Sequence, residues 1–262
     1  MRISNLISNL ISNLKHALGG AALLAVLALA LNPALAAGEH PSVKRPFSLP
    51  PSADLQYSIR LSQRGFQLNG DGTINWRVSE NSYSIVSESH APLFGKVLDN
   101  QSEGTVDGFG LAPTSFHEKR FRKEATTTTF LRDSKHIVFG ESQESYPLTG
   151  GEQDRTSAPW QLVAVARGAP DKFTPGSEWS FFVAGARDAE RWTFKVIGRE
   201  TVHIAQGEVD AVHLVKAPPP DNQGQQVDIW LAPSLEWYPV RLRFSDNDSD
   251  FIEQTLLRIS RK

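Results

Sequence analysis

The feature that most constrains this chain is an alternation of apolar and polar residues, repeated in many short segments. Segments 55–62, 226–231 and 238–245 place apolar side chains at every second position. Because successive side chains of a strand point to opposite faces of a sheet, this period of two predicts half-buried strands. The sequence therefore predicts a mainly β protein, built as one large curved antiparallel sheet or open barrel of about a dozen strands.

Glycine and polar residues indicate where these strands turn. Segment 69–72, Asn-Gly-Asp-Gly, predicts a hairpin turn, because glycine readily supplies the positive φ that tight hairpins need. Glu80 and Asn81 predict a second turn. The glycines between residues 104 and 110 predict a loop, with the next strand beginning near Phe116.

One segment has helical rather than strand periodicity. Trp160, Val163 and Arg167 fall on one stripe of a helix predicted over about residues 155–167. Ser157 is expected to cap its first turn, and Gly168 stands where a helix commonly stops. We expect this helix to cover the sheet as a lid.

The N-terminus predicts export. Residues 17–31 form an uncharged apolar run that is short for a membrane span of roughly 20 residues. Small residues follow it, and the sequence predicts a signal peptide over residues 1–36 with cleavage between Ala36 and Ala37. A retained membrane anchor is the alternative interpretation. Cleavage implies a periplasmic protein with no stable membrane span after signal removal.

The remaining chain is predicted to contain a proline-rich leader over residues 37–53 and one β-rich domain over residues 54–262. The sequence has no cysteine, which excludes disulfides, thiolate metal sites, a cysteine nucleophile and a lipid-modified cysteine. Loss of the signal leaves 25 basic against 29 acidic side chains, without a basic run interleaved with aromatics. This composition indicates no nucleic-acid partner.

Two groups of residues carry side chains that are suited to metal or acid–base chemistry. His203 and His213 could join Asp210 or Glu208 as metal ligands, but no closely spaced histidine pair supports that interpretation. His117 and Glu118 could act together beside two arginines, Arg120 and Arg122. A charged outward strand face explains that second group equally simply, and the sequence favours it because no nucleophile motif is present.

No catalytic residue, metal ligand or cofactor is assigned from the sequence, since nucleophile elbows, phosphate loops and dinucleotide fingerprints do not occur. Trp230 is the one weak candidate for ligand binding. It alternates with Ile229 and Leu231, so either both faces of its strand are covered or Trp230 lines a concave surface.

Three motifs resemble one family of exported bacterial proteins, the domain of unknown function 3108. They are Gly110-Leu111-Ala112-Pro113 followed by Phe116, Gln153-Asp154 before the helix, and Ile229-Trp230-Leu231-Ala232-Pro233 followed by Tyr238-Pro239-Val240-Arg241. The resemblance extends over about residues 54–259. It implies a periplasmic, β-rich protein without an established activity, similar in architecture to carriers of outer-membrane lipoproteins.

Three functions are compatible with these observations. The sequence favours a non-catalytic binding or carrier module for a lipid, an acyl chain or a lipoprotein segment, because an alternating sheet with a covering helix can enclose an apolar ligand. The alternatives are a hydrolase or lyase acting on an envelope polymer and a scaffold for envelope proteins. An enzyme would draw its acid–base groups from His117, Glu118, Asp154 or Asp228.

Overall fold

The computed structural model describes residues 40–217, 225–247 and 249–262, so the predicted signal peptide and its cleavage site at Ala36 and Ala37 lie outside the described residues. One sheet of 15 strands dominates the described part of the chain. Its strands are β1 (Ala53–Gln63), β2 (Phe66–Val78), β3 (Ser82–Ala91), β4 (Gly95–Asp107), β5 (Gly110–Arg120), β6 (Thr126–Leu131), β7 (His136–Phe139), β8 (Ser142–Pro147), β9 (Gln153–Asp154), β10 (Glu178–Ala184), β11 (Ala189–Ile204), β12 (Gly207–Lys216), β13 (Gln226–Leu231), β14 (Pro239–Ser245) and β15 (Phe251–Arg261). The described residues contain one α-helix, α1 (Ser157–Gly168).

The sheet is an antiparallel meander that opens between β8 and β9. Its order is β8-β7-β6-β5-β4-β3-β2-β1-β15-β14-β13-β12-β11-β10-β9, and only the β9–β10 pair is parallel among the described strands. The first and last strands pair in the middle of the sheet, with Leu55 opposite Ile259. The prediction of a mainly β fold with one large curved sheet and one helix is confirmed.

The predicted turn at residues 69–72 is wrong, because these residues lie inside β2 and pair with both neighbouring strands. The chain turns instead at Arg64 and Gly65, both with positive φ. Gly70 has a different role. A Cβ atom there would lie 2.3 Å from the His90 carbonyl oxygen, so glycine permits close approach of β3 rather than a turn.

The loop expected between residues 104 and 110 is also mostly strand. Gly104 lies within β4, and a Cβ atom there would meet the Ala112 carbonyl oxygen of β5 at 2.2 Å. The reversal is confined to the residues after Asp107, whose carboxylate accepts a hydrogen bond from the Phe109 amide at 2.7 Å. The second predicted turn, at Glu80 and Asn81, does join β2 to β3.

Helix α1 fills the concave side of the sheet. It contacts β5 near one end of the strand order and β9 and β10 at the other, which requires the sheet to curve around it. Nine of its twelve residues are buried, and the Trp160 ring stacks on Trp76 of β2 at 4.6 Å. The helix is therefore part of the core, and the expectation of a lid over an open concave surface is wrong.

The described part of the leader packs against the domain. The Ser48 amide donates to the Ala164 carbonyl at 2.9 Å, and the Trp76 indole donates to the Pro50 carbonyl at 3.0 Å. Phe47 and Leu49 pack against the two largest hydrophobic clusters. Because prolines cannot donate backbone hydrogen bonds, their carbonyl groups accept from side chains of the domain, as Pro51 does from the Tyr238 hydroxyl.

Gly168 allows the leader to approach the end of α1, and its replacement by Ala is expected to destabilise the fold. A Cβ atom at Gly168 would lie 2.5 Å from the Phe47 backbone. We expect a loss of about 1–3 kcal/mol in the free energy of unfolding, measured by urea denaturation. Gly198→Ala is the matched control, since nothing lies within 4 Å of its Cβ position. Equal stability of the two variants would contradict this close approach.

Candidate functional site

The acid–base residues considered for an enzyme do not converge. The His117 imidazole is exposed and hydrogen-bonds the Thr127 hydroxyl at 2.9 Å, while Glu118 pairs with Arg120. Asp154 is fully buried beside α1, and Asp228 contacts His213 on β12. The four side chains have different partners and do not contact one another, so they do not form a shared reaction centre.

The histidines considered as metal ligands also lie apart. His203 is exposed and lies 3.3 Å from Glu208, whereas His213 pairs across the sheet with Gly198. Asp210 instead pairs with Arg199 at 2.7 Å. Across the described ranges, no group of three or more His, Asp or Glu residues is arranged to hold a metal ion.

Trp230 lies in a polar cluster on the sheet face opposite Ile229 and Leu231. Its ring stacks on His213 with centroids 4.2 Å apart, and its indole N–H donates to Glu200 at 3.0 Å. The Arg241 guanidinium carbon lies 5.5 Å from the centroid of the Trp230 ring. Ile229 and Leu231 pack in the cluster that includes α1, so both faces of β13 are covered.

His213 is held by two carboxylates. Its Nδ1 lies 2.7 Å from Glu200 and its Nε2 lies 2.9 Å from Asp228. Burial lowers the pKa of His213, but hydrogen bonds and charge interactions with both carboxylates outweigh it, and the net shift is upward. Since both ring nitrogens are engaged by carboxylates, this imidazole links β11, β12 and β13 rather than offering a free base.

Asp154 anchors the start of α1. Its Oδ1 accepts hydrogen bonds from the Thr156 and Ser157 amides, both at 2.8 Å, and its Oδ2 accepts one from the Ser102 hydroxyl at 2.6 Å. The predicted cap at Ser157 is therefore wrong: its hydroxyl accepts from the Asp154 amide instead. Burial raises the pKa of Asp154 to about 6, against the opposing effect of these hydrogen bonds.

Exposed apolar side chains gather at one end of the sheet. Because β1 to β6 are antiparallel neighbours, the turns β1–β2, β3–β4 and β5–β6 lie at the same end. We call this end the hairpin rim, and its apolar residues are Phe66, Leu93, Phe94 and Phe121. Leu93 is fully exposed, Phe66 is 54% exposed and Phe94 is 38% exposed.

The tip of the β3–β4 turn is unusual in its backbone. Leu93 has φ 69°, a left-handed conformation that is uncommon for a bulky residue. Phe94 contacts Phe121 of the next hairpin at 5.8 Å, and Arg122 lies over the Phe121 ring at 5.0 Å. The tip thus presents a leucine and a phenylalanine outward, beside the exposed cations Arg122 and Lys123.

The fold places this protein in the class built from one long, open, barrel-like sheet that curves around an internal helix. The chain belongs to the family described as protein of unknown function (DUF3108), whose model matches residues 56–256. No curated protein matches the chain.

The solved structures that match the chain include the following two. One is a β-barrel-like protein of domain of unknown function DUF1849 from Brucella abortus, with 14% identity, a TM-score of 0.51, and coverage of 82% of this chain and 99% of the other. At this identity the similarity shows the fold alone. The other is a putative exported protein with a YmcC-like fold from Bacteroides fragilis, with 10% identity, a TM-score of 0.33, and coverage of 84% and 100%.

Sequence reasoning missed the hairpin rim. Its apolar residues lie in turns or at the end of a strand, where single hydrophobic side chains give no periodic signal. The adjacent pair Leu93-Phe94, between Pro92 and Gly95, was the available indication, because turns usually carry polar residues.

None of the described helices is long and apolar enough to cross a membrane.

Proposed function

We propose that this protein is an exported, non-catalytic binding module of the cell envelope that binds lipid surfaces through the hairpin rim. Export and a periplasmic location rest on the predicted signal over residues 1–36. The lipid ligand rests on the exposed apolar side chains of the rim.

The interior favours a surface ligand over an enclosed one. A carrier of acyl chains needs apolar space between sheet and helix, and here that region is occupied by Trp160, Leu162 and other side chains of α1 that are almost fully buried. Displacing a helix with nine buried residues would expose much of the core. A hydrophobic ligand therefore has better access to the rim than to the concave side.

The observation that carries the proposal is the Leu93–Phe94 tip. Two adjacent apolar residues protrude from a turn in which Leu93 holds a strained backbone conformation, and such strain is commonly kept where it serves a function. Arg122 and Lys123 lie on the neighbouring turn, where they can contact lipid phosphates while the apolar tip enters the acyl boundary. The enzyme alternative has no comparable support, because its candidate groups are dispersed.

The test is flotation of residues 37–262 with vesicles of phosphatidylethanolamine and phosphatidylglycerol. We expect the wild-type chain to float with the vesicles and the Leu93→Ser/Phe94→Ser variant to lose roughly tenfold or more in partitioning, because both apolar contacts with lipid are removed. The thermal unfolding midpoint should change little, since Leu93 is fully exposed and Phe94 is partly exposed.

Leu131→Ser is the matched control. Leu131 is 42% exposed but lies in the β6–β7 hairpin at the opposite end of the sheet, so its replacement should leave flotation unchanged. A wild-type chain that stays unbound, or a rim variant that floats like the wild type, would contradict the proposal. Retention of an acyl species in native mass spectrometry without flotation would also contradict it and favour an enclosed ligand.

A further inference from the structure

Positive charge is concentrated where β5 ends and turns into β6, beside the apolar tip of the hairpin rim. The exposed cations there are Lys119, Arg122 and Lys123, which we call the basic turn, and the one acidic residue beside them is Glu124. In the part of the chain that the structure describes, none of these four side chains forms an ion pair. The basic turn therefore carries a net positive charge that attracts anions.

The basic turn is held close to the apolar tip. The Arg122 guanidinium carbon lies 5.0 Å from the centroid of the Phe121 ring, and that ring contacts the Phe94 ring edge-on with centroids 5.8 Å apart. The Lys119 ammonium donates to the Lys123 carbonyl oxygen, which keeps the two lysines together. A guanidinium thus lies one aromatic ring away from the tip. Such closeness of a cation and an apolar side chain matches the boundary between lipid phosphates and acyl chains.

The backbone of the basic turn indicates that the arginine side chain matters. Arg122 has φ 56°, in the left-handed region that favours glycine, and Leu93 in the contacting turn has φ 69°. Bulky residues are commonly kept in this region where their side chains serve a function. A guanidinium can donate to two phosphate oxygens at once, which a single ammonium cannot do with the same geometry.

A neighbouring turn at the same end of the sheet has the opposite charge. The β14–β15 turn contains Asp246 and Asp250 and lies beside the β1–β2 turn, since Ser62 pairs with Phe251. The Asp250 carboxylate accepts a hydrogen bond from the Arg64 amide at 2.8 Å. A negatively charged surface is therefore attracted at the basic turn and repelled at the β14–β15 turn.

We propose that the basic turn makes the hairpin rim select anionic phospholipids, an inference that rests on the proposed binding of lipid by the rim. The phosphodiester of a phosphatidylglycerol headgroup accepts hydrogen bonds from the Arg122 guanidinium, and Lys119 and Lys123 add positive charge beside it. The Leu93–Phe94 tip enters the acyl boundary of the same leaflet. A zwitterionic headgroup also has a phosphate, but its own cation cancels the negative charge, so its surface attracts the basic turn far less.

The test is flotation of residues 37–262 with vesicles of phosphatidylcholine alone and of phosphatidylcholine mixed with phosphatidylglycerol. We expect roughly tenfold or more stronger partitioning onto the anionic vesicles, because each basic side chain near an anionic surface adds about fivefold. Arg122→Gln/Lys123→Gln should lose this preference without a change in the thermal unfolding midpoint, since both side chains are exposed. High salt should also weaken the preference of the wild type by screening.

Arg64→Gln serves as the control. Arg64 is an exposed arginine with φ 49° in another turn at the same end of the sheet, but it lies beside the acidic turn, so its replacement should keep the preference. The inference is overturned if Arg64→Gln loses as much preference as the basic-turn variant, or if that variant keeps it.

Two further outcomes separate this inference from the function on which it rests. Equal partitioning of the wild type onto both kinds of vesicle, with loss in Leu93→Ser/Phe94→Ser, would overturn the headgroup selection and leave lipid binding by the rim in place. A wild-type chain that floats with neither kind of vesicle would overturn both.

Discussion

Replacing Trp160 by Ala is expected to lower the free energy of unfolding by about 3–5 kcal/mol, the range for truncating a large buried aromatic side chain. Trp160 is 2% exposed and is the point where α1 meets the middle of the sheet. Its ring stacks on the Trp76 ring with centroids 4.6 Å apart and contacts the Tyr238 ring edge-on with centroids 6.0 Å apart. Urea denaturation at pH 7, followed by far-ultraviolet circular dichroism, measures the change.

Trp160→Phe is the matched variant. It keeps an aromatic ring against Trp76 and is expected to lose clearly less stability than Trp160→Ala, because it leaves a smaller cavity. A loss below about 1 kcal/mol for Trp160→Ala would mean that the helix is a displaceable lid after all, since a removable lid contributes little packing to the core.

The second large effect is a dependence of stability on pH that arises from Asp154. The pKa of Asp154 is raised from 3.8 to about 6 by burial. Between these two values the folded state binds a proton that the unfolded state has released, so stability falls as pH rises from about 4 to about 6. The shift corresponds to a contribution of about 3 kcal/mol to the free energy of unfolding. This contribution is present in full below about pH 4 and is lost above about pH 6.

Asp154→Asn isolates this contribution. The amide oxygen can accept from the Thr156 and Ser157 amides, and the amide nitrogen can donate to Ser102, so the start of α1 should remain in place. We expect the stability of the wild type relative to Asp154→Asn to decrease by about 3 kcal/mol between pH 4 and pH 7 in urea titrations. A difference that is constant over this range, or that increases with pH, would contradict the raised pKa.

Much of the sheet could be predicted from the sequence because its inner positions alternate in hydrophobicity. Leu55 and Tyr57 are fully buried, as a period of two requires. The turns were harder, because glycine permits either positive φ or close approach of another strand. Gly70 and Gly104 serve the second purpose, which depends on long-range pairing that a local pattern does not reveal.

Both ends of the helix were predicted to within two residues, but its burial inside the curve of the sheet was not predicted. Its periodicity identifies an apolar stripe, whereas burial on nearly all sides depends on the curvature of the whole sheet. The N-terminal cap of α1 also differs from the prediction at Ser157. Asp154 comes three residues before Ser157 and was considered only for catalysis, although short polar side chains before a helix also commonly hold its first amides.

The hairpin rim could not be derived from sequence patterns. The hairpin rim depends on three turns, separated in sequence, coming to one end of the sheet. Trp230, which the sequence singled out, lies instead in a hydrogen-bonded cluster with His213 and Glu200.

Hydrogen–deuterium exchange with and without vesicles tests most directly the claim that the rim, and not the interior, binds lipid. Peptides that contain residues 91–95 and 121–125 are expected to exchange more slowly when vesicles are present. Exchange in α1 is expected to stay unchanged, because the helix remains packed against Trp76. Faster exchange across α1, with no protection of the two rim turns, would show that lipid enters by displacing the helix and would contradict binding at the rim.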